Sequence, residues 1–376
     1  MTGLVRFIVL VLALQPTGTL LAQSGSPRRS RDASRLLVSE SGDLYYLGSF
    51  SSVLDLVAPS GICGAFGLRG GTPILLSEYA AKASLSRCEK VVDTALGRRE
   101  LDPEEKLFQP SKIASDSEGR IMVADNGTVH IFDFLRRRHS HIPVGPGERL
   151  QSPAGLAVDA HDHLYITDAQ LGAILVYRPH GKFRRYIGNP SGERMFERPA
   201  GIAVDWASGH IYVADPPRNV VVVLDANGNI IAKIGTGASG SGPAEFAGAT
   251  DVVVRKEELF VLDARNFRIQ VFDLAGHFRE SIFPESMGLA VAFSVDSQGR
   301  IYVDGPLDTV RLFQRDGRFI DRFGYTGAGS RARSQVSCIW IDSSDRVFVA
   351  DRGNNQIQSF EWGTRHLRKL LVPGNH

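Results

Sequence analysis

The sequence predicts an all-β protein, a ring of repeated four-stranded sheets, and three observations predict it. Six segments repeat one pattern of apolar strand, turn and apolar strand, each ending on an aspartate: Asp125, Asp168, Asp215, Asp263, Asp304 and Asp351. Their spacings are 43, 47, 48, 41 and 47 residues. From the second unit onward a bulky residue follows nine positions later, at Tyr177, Leu224, Phe272, Phe313 and Phe360, and Phe132 marks a shortened first unit. A period of roughly 40–50 residues with four strands per unit is a β-propeller blade.

Each element has a local reason. The first strand of a unit is apolar throughout, as in Gly201–Asp205 (GIAVD), which suits a strand buried on both faces. The second is β-branched or alternating (Ile211–Asp215, IYVAD), the third carries the bulky residue, and the fourth is more polar and runs into a Gly-rich stretch. Asn227-Gly228, Asp316-Gly317 and His180-Gly181 stand between strands three and four, and Gln298-Gly299 between one and two, all with hairpin-turn chemistry. The aspartate closing strand two is expected to be structural, accepting hydrogen bonds from the turn amides just after it. A single blade has two apolar faces, so it needs neighbours on both sides.

The chain before the repeats reads differently. Arg6, the apolar run Phe7–Leu14 and Leu20-Leu21-Ala22 have the form of an export signal over residues 1–22; the alternative is an uncleaved anchor, against which the apolar core is short for spanning a bilayer comfortably. Residues 23–35, polar, basic and without periodicity, are expected to be a flexible linker. Residues 36–67 are expected to be a degenerate extra blade, because Ser39–Leu47 resembles Ser115–Val123 and the sixth unit has its own candidate fourth strand at His366–Val372. That reading favours seven blades over six. Residues 68–109 form an insertion, with helix formers over Ser77–Arg99, and 110–376 hold the six clear repeats. In an oxidising compartment Cys63 and Cys88 are the pair expected to bridge, with Cys338 a buried thiol in an apolar run.

The units resemble NHL repeats. The match is carried by Pro199–Asp205, Ile211–Asp215, Arg265–Phe272 (RNFRIQVF) and Asp351–Phe360 (DRGNNQIQSF), and it covers residues 110–376. The resemblance implies a propeller, usually of six blades, that binds proteins.

The chain has 376 residues, 43% of them hydrophobic and 22% charged, with a formal net charge of +2. That composition has ample apolar surface for a core and no global field to recruit nucleic acid. No catalytic constellation emerges. Gly235–Gly240 spells GxGxxG, yet no helix opens after it, so the phosphate cradle is missing. His161, His163 and His210 fall in strand one–two turns, His180 and His277 in strand three–four turns, and His130, His139 and His141 in the first unit. None converges on the axis, where propeller enzymes gather their ligands. No cofactor is expected; channel Ca or Zn belongs to the alternative of a lyase or lactonase-type propeller enzyme.

Loops on a rigid scaffold are where binding resides. The face bearing the inter-blade and strand two–three loops carries Arg149, Arg198, Arg218, Asn219, Arg265, Asn266, Arg352, Asn354 and Asn355, side chains suited to carboxylates, sugars or protein backbone. The expectation is a non-catalytic extracytoplasmic scaffold whose partner is a protein or a glycan or peptide ligand, with no nucleic acid and no stable membrane insertion after signal cleavage.

Overall fold

Six four-stranded antiparallel sheets stand among the described residues of the computed structural model, which are 44–50, 66–69, 72–75, 107–133, 138–142, 150–188, 192–305, 309–324, 335–353 and 355–362. Blade one is Pro110–Ser115, Ile121–Asp125, Thr128–Asp133 and Arg138–His141. Blade two is Pro153–Val158, Leu164–Asp168, Ala173–Tyr177 and Phe183–Ile187. Blade three is Ile202–Val204, Ile211–Asp215, Val220–Leu224 and Ile230–Ile234, and blade four is Ala249–Arg255, Glu258–Asp263, Arg268–Asp273 and Phe278–Ile282. Blade five is Phe293–Val295, Ile301–Gly305, Thr309–Phe313 and Phe319–Gly324. Blade six is Val336–Ile341, Val347–Asp351 and Gln356–Trp362, with Leu44–Phe50 as its outermost strand.

The first strands touch one another in cyclic order, blade six closing onto blade one. Burial follows the seams between blades. The apolar side chains divide into six clusters, each drawn from two adjacent blades; Phe246, Phe272, Leu259 and Val221, for example, fill the seam of blades three and four. Burying one such side chain is worth roughly 1.5–3 kcal/mol, and no blade can bury its faces alone. Turns complete the seams. Gly228 (φ +92°) lies in the strand three–four turn of blade three, where a Cβ would stand 2.9 Å from Ile187 of blade two. Only glycine combines that dihedral with so close an approach.

Two expectations about the chain ends are corrected. Leu44–Phe50 is not part of a seventh blade: it pairs antiparallel with Gln356–Trp362, Leu44 opposite Trp362 and Phe50 opposite Ile357. The fourth-strand place foreseen for His366–Val372 is therefore taken by the N-terminal segment, while residues 366–372 themselves lie outside the described residues. The physical reason is closure, since a ring stitched between distant parts of one chain has no seam that opens without breaking a sheet. Phe66–Arg69 and Thr72–Leu75 form a separate two-stranded hairpin across the expected boundary at 67/68. The helix expected over Ser77–Arg99, the export segment, the linker and the Cys63–Cys88 bridge all lie outside the described residues. No helix among the described residues is long and apolar enough to cross a membrane.

Candidate functional site

The strand-two aspartates organise one face of the ring, by a route the sequence did not suggest. All are buried except Asp304, which is half-buried. Their main donors are not the turn amides after strand two but the amides of the chain entering strand one of the same blade. Asp125 accepts from Phe108 and Gln109, Asp168 from Gln151 and Ser152, and Asp215 from Glu197 and Arg198. Asp263 accepts from Ala247, Asp304 from Val291 and Ala292, and Asp351 from Gln335. Asp168 also holds the turn that follows it, accepting from the amides of Gln170 and Leu171. The carboxylate thus pins each inter-blade loop to the blade it enters. Burial raises the carboxyls of Asp125 and Asp304 above the ordinary value in spite of these amides.

Several side chains expected on the binding face serve the same loops. Arg218 donates to the Met195 carbonyl at 2.7 Å, and Asn219 accepts from the Gly248 amide at 3.0 Å. Asn266 donates to the Gly240 carbonyl and to Asp263, both at 2.8 Å, and Arg352 donates to Gln109 Oε1 at 2.8 Å. Arg198 and Arg265 are exposed, and Asn355 is half-buried with φ +55°. Arg149 and Asn354 lie outside the described residues. The Asn219–Gly248 and Arg352–Gln109 contacts show that the strand two–three turn of one blade abuts the loop entering the next.

A feature missed in the sequence stands on this face. Four residues after the strand-two aspartate the backbone turns left-handed at Gly172 (φ +64°), Asn219 (φ +50°), Phe267 (φ +53°) and Asn355 (φ +55°). Glycine and asparagine are at home there; a phenylalanine is strained. Phe267 is nevertheless 50% exposed, and the loop entering the next blade exposes Leu289 (67%) and Val291 (53%). Phe108, which donates to Asp125 as Val291 does to Asp304, is 58% exposed. The signal in the sequence is Phe267 in the register where sister blades carry Gly or Asn.

The channel is the other candidate. Counting from the strand pairs Ile113–Val123, Leu156–Ile166, Ile202–Val213, Val252–Val261 and Ile339–Val349, one layer holds Lys112, Gly155, Gly201, Asp251 and Cys338. Lys112 of blade one and Asp251 of blade four, on opposite sides of the axis, form an ion pair at 3.1 Å with side chains 16% and 15% exposed. Gly201 makes room: a Cβ there would sit 2.1 Å from Asp251 Oδ1. Burial alone would lower the Lys112 ammonium, but Asp251 chiefly outweighs it and the net shift is upward. Burial pushes the Cys338 thiol up to about 11, so it is a neutral, unreactive group at neutral pH. From this layer a cavity of about 700 Å³ runs toward the strand one–two turns, lined by Arg255, Trp206, Trp340 and Asp342 among others.

The histidines divide. His163 and His277 bond the aspartates four residues before them at 3.0 and 3.1 Å. His130 is buried in the third strand of blade one, its Nδ1 2.8 Å from His139 Nε2. Burial, with a smaller push from His141, holds His130 down to about 4. Among the described residues no three His, Cys, Asp or Glu side chains stand together so as to hold a metal ion. Gly235–Gly240 is an inter-blade loop, with Ser239 bridged to Phe246.

Comparisons with known proteins agree on architecture. A family model described as a 6-bladed beta-propeller matches residues 201–284. The fold is similar to a streptogramin B lyase structure (12% identity, TM-score 0.51, covering 70% of this chain and 81% of that one). It is similar to virginiamycin B lyase from Staphylococcus aureus (14%, TM-score 0.50, 69% and 84%). It is also similar to a gluconolactonase from Xanthomonas campestris (16%, TM-score 0.50, 68% and 87%). At these identities the likeness is one of fold, and the chain is a six-bladed, all-β propeller.

Proposed function

We propose that this is an exported, non-catalytic propeller of NHL-like repeats, a binding or scaffold protein that recognises a protein, glycan or peptide partner through the face of the inter-blade loops. Phe267 carries the reading. A bulky residue in left-handed backbone costs roughly 1–2 kcal/mol, and strain of this kind persists where it serves a function. Here it leaves an aromatic ring half exposed in the strand two–three turn of blade four, with Arg265 two residues away, while the loop entering blade five exposes Leu289 and Val291. Aromatic and arginine side chains on one patch are the usual anchors of an interface. The export segment supports an extracytoplasmic setting from sequence alone.

The channel supports a scaffold over a lyase or lactonase. Where the starts of the first strands converge, the one carboxylate among the described residues of that layer, Asp251, is neutralised by Lys112, leaving the layer poor in ligands for a divalent cation. A photo-reactive amino acid placed at position 267, with position 227 on the opposite turns as control, tests the proposal in the protein's own compartment. A discrete adduct at 267 and none at 227 is expected; equal adducts at both, or none at 267, defeats it. Stoichiometric Ca or Zn in purified protein, lost on changing channel residues, would favour the enzyme.

A further inference from the structure

We infer that the channel is a second binding site, entered from the face of the strand one–two turns, which takes a small polar monocarboxylate on Arg255. The argument begins with a broken pattern. At the end of strand one the blades carry Asp116, Asp159, Asp205, Asp296 and Asp342, and blade four carries Arg255. Those aspartates cap their turns: Asp116 accepts from the amides of Glu118 and Arg120, Asp296 from Gln298 and Arg300, and Asp342 from Ser344 and Arg346. Blade four turns in two residues, Lys256 and Glu257, both left-handed (φ +49° and +61°). This tight hairpin needs no capping carboxylate, so the position is released for another use.

Arg255 uses it by reaching into the ring. Its Nε donates to the Val295 carbonyl of blade five at 2.9 Å, and its Nη2 to the Ile341 carbonyl of blade six at 3.0 Å. Two carbonyls fix the guanidinium plane without cancelling its charge. No carboxylate among the described residues is in ion-pair contact with it, and Nη1 has no protein partner there. Deeper in the channel Lys112 is paired with Asp251, and Arg346 is paired with Asp342; Lys256 and Glu257 of the adjoining turn are exposed at the rim. Burial holds its pKa below the ordinary arginine value, with Asp345, Asp296 and Asp342 attracting it only from a distance. A cation in this position is a pre-oriented donor for an anion.

One shielded cation without a carboxylate partner, and one free nitrogen on it, match a monoanion rather than a phosphate dianion, Lys256 being exposed to solvent at the rim. From Arg255 to the Lys112–Asp251 layer the channel runs four residues of strand, about 13 Å. Its walls are the six first strands, each an edge of its sheet, so the N–H and C=O groups not already bonded by Arg255, Trp206 or the Gly201–Thr250 contact are open to the channel. Trp340 and Val253 add half-buried apolar surface to the lining. The occupant is therefore elongated, rich in hydrogen-bonding groups and acidic at one end, about the size of a tripeptide or an acidic disaccharide.

The test uses probes that differ only in the carboxylate: triglycine against its C-terminal amide, and galacturonic acid against galactose, titrated calorimetrically into the full-length protein. At least one acid is expected to bind ten times more tightly than its neutral partner or better, the effect of one charge-assisted hydrogen bond in a partly desolvated site. Arg255→Gln should abolish that preference, and Arg255→Lys should retain part of it. If Arg255→Gln fails to fold, phenylglyoxal labelling of the wild-type protein gives the second readout. The preferred acid should protect Arg255, and its neutral partner should not. No acid preferred over its neutral partner, a preference that survives in Arg255→Gln, or labelling of Arg255 unaffected by the acid overturns the inference.

Discussion

Removing Asp251 should strand the Lys112 ammonium at the centre of the ring. The pair is 3.1 Å apart with about five-sixths of each side chain shielded, so breaking it falls at the lower end of the range for buried pairs, about 3 kcal/mol. Asp251→Ala and Lys112→Met should each cost about that much. The double variant leaves no buried charge and should cost no more than either single change rather than the sum, a coupling of about 3 kcal/mol or more. For a domain of this size each single change lowers Tm by about 6–12 °C. Urea unfolding of the four proteins, with equal slopes, measures the cycle. The pH sign is also determined. The folded Lys112 pKa is raised, so the contribution is full below the ordinary value of 10.5 and is lost as pH rises through the higher folded value. The difference between wild type and Asp251→Ala should shrink on the alkaline side, beginning below 10.5 because burial lowers a Lys112 that has lost its partner. Additive single effects, within about 0.5 kcal/mol, would refute an ion pair across the axis.

Four further outcomes are expected. His130 is depressed from 6.5 to about 4 by burial, so its contribution is complete above pH 6.5 and lost as pH falls toward 4. About 3 kcal/mol of stability should disappear across that window, and His130→Gln should flatten this part of the pH profile. Truncation through residue 50 removes the outer strand of blade six and exposes the Gln356–Trp362 edge; chromatography should show association, and melting should lose cooperativity. Phe267→Asn supplies a residue that suits φ +53°, and should raise stability by about 1 kcal/mol in thermal melts while abolishing cross-linking from a photo-reactive amino acid placed at position 265. Gly201→Ala puts a Cβ 2.6 Å from the Asp251 Cα, a backbone contact that cannot be relieved by a rotamer, and a loss of about 2 kcal/mol or more should appear in urea titrations.

The repeats were legible because a blade is a local object. The apolar first strand, the turn dipeptides and the strand-two aspartate all act within some 40–50 residues, and the six units read at Asp125 through Asp351 each became a sheet. The strand-two aspartates were found by position, but the turn amides expected as their partners are met at Asp168, while the amides of the chain entering strand one were not foreseen. Asp125 takes the amides of Phe108 and Gln109, 17 and 16 residues earlier, a separation that a turn-based reading does not reach. Asn219 and Asn266 were likewise picked out for exposure on the binding face, yet both hold loops.

What the amino-acid order determined by itself was the blade: its period, its four strands, and the need for neighbours on both apolar faces. Only the tertiary structure decided how the ring closes and what meets inside it. Leu44 and Trp362 pair across more than three hundred residues of chain, and Lys112 finds Asp251 139 residues away. Arg255 likewise lies beside Ile341, 86 residues on. Such contacts have no local pattern, because they form when a closed circle brings first strands to a common axis, and closure belongs to the whole ring rather than to any unit of it.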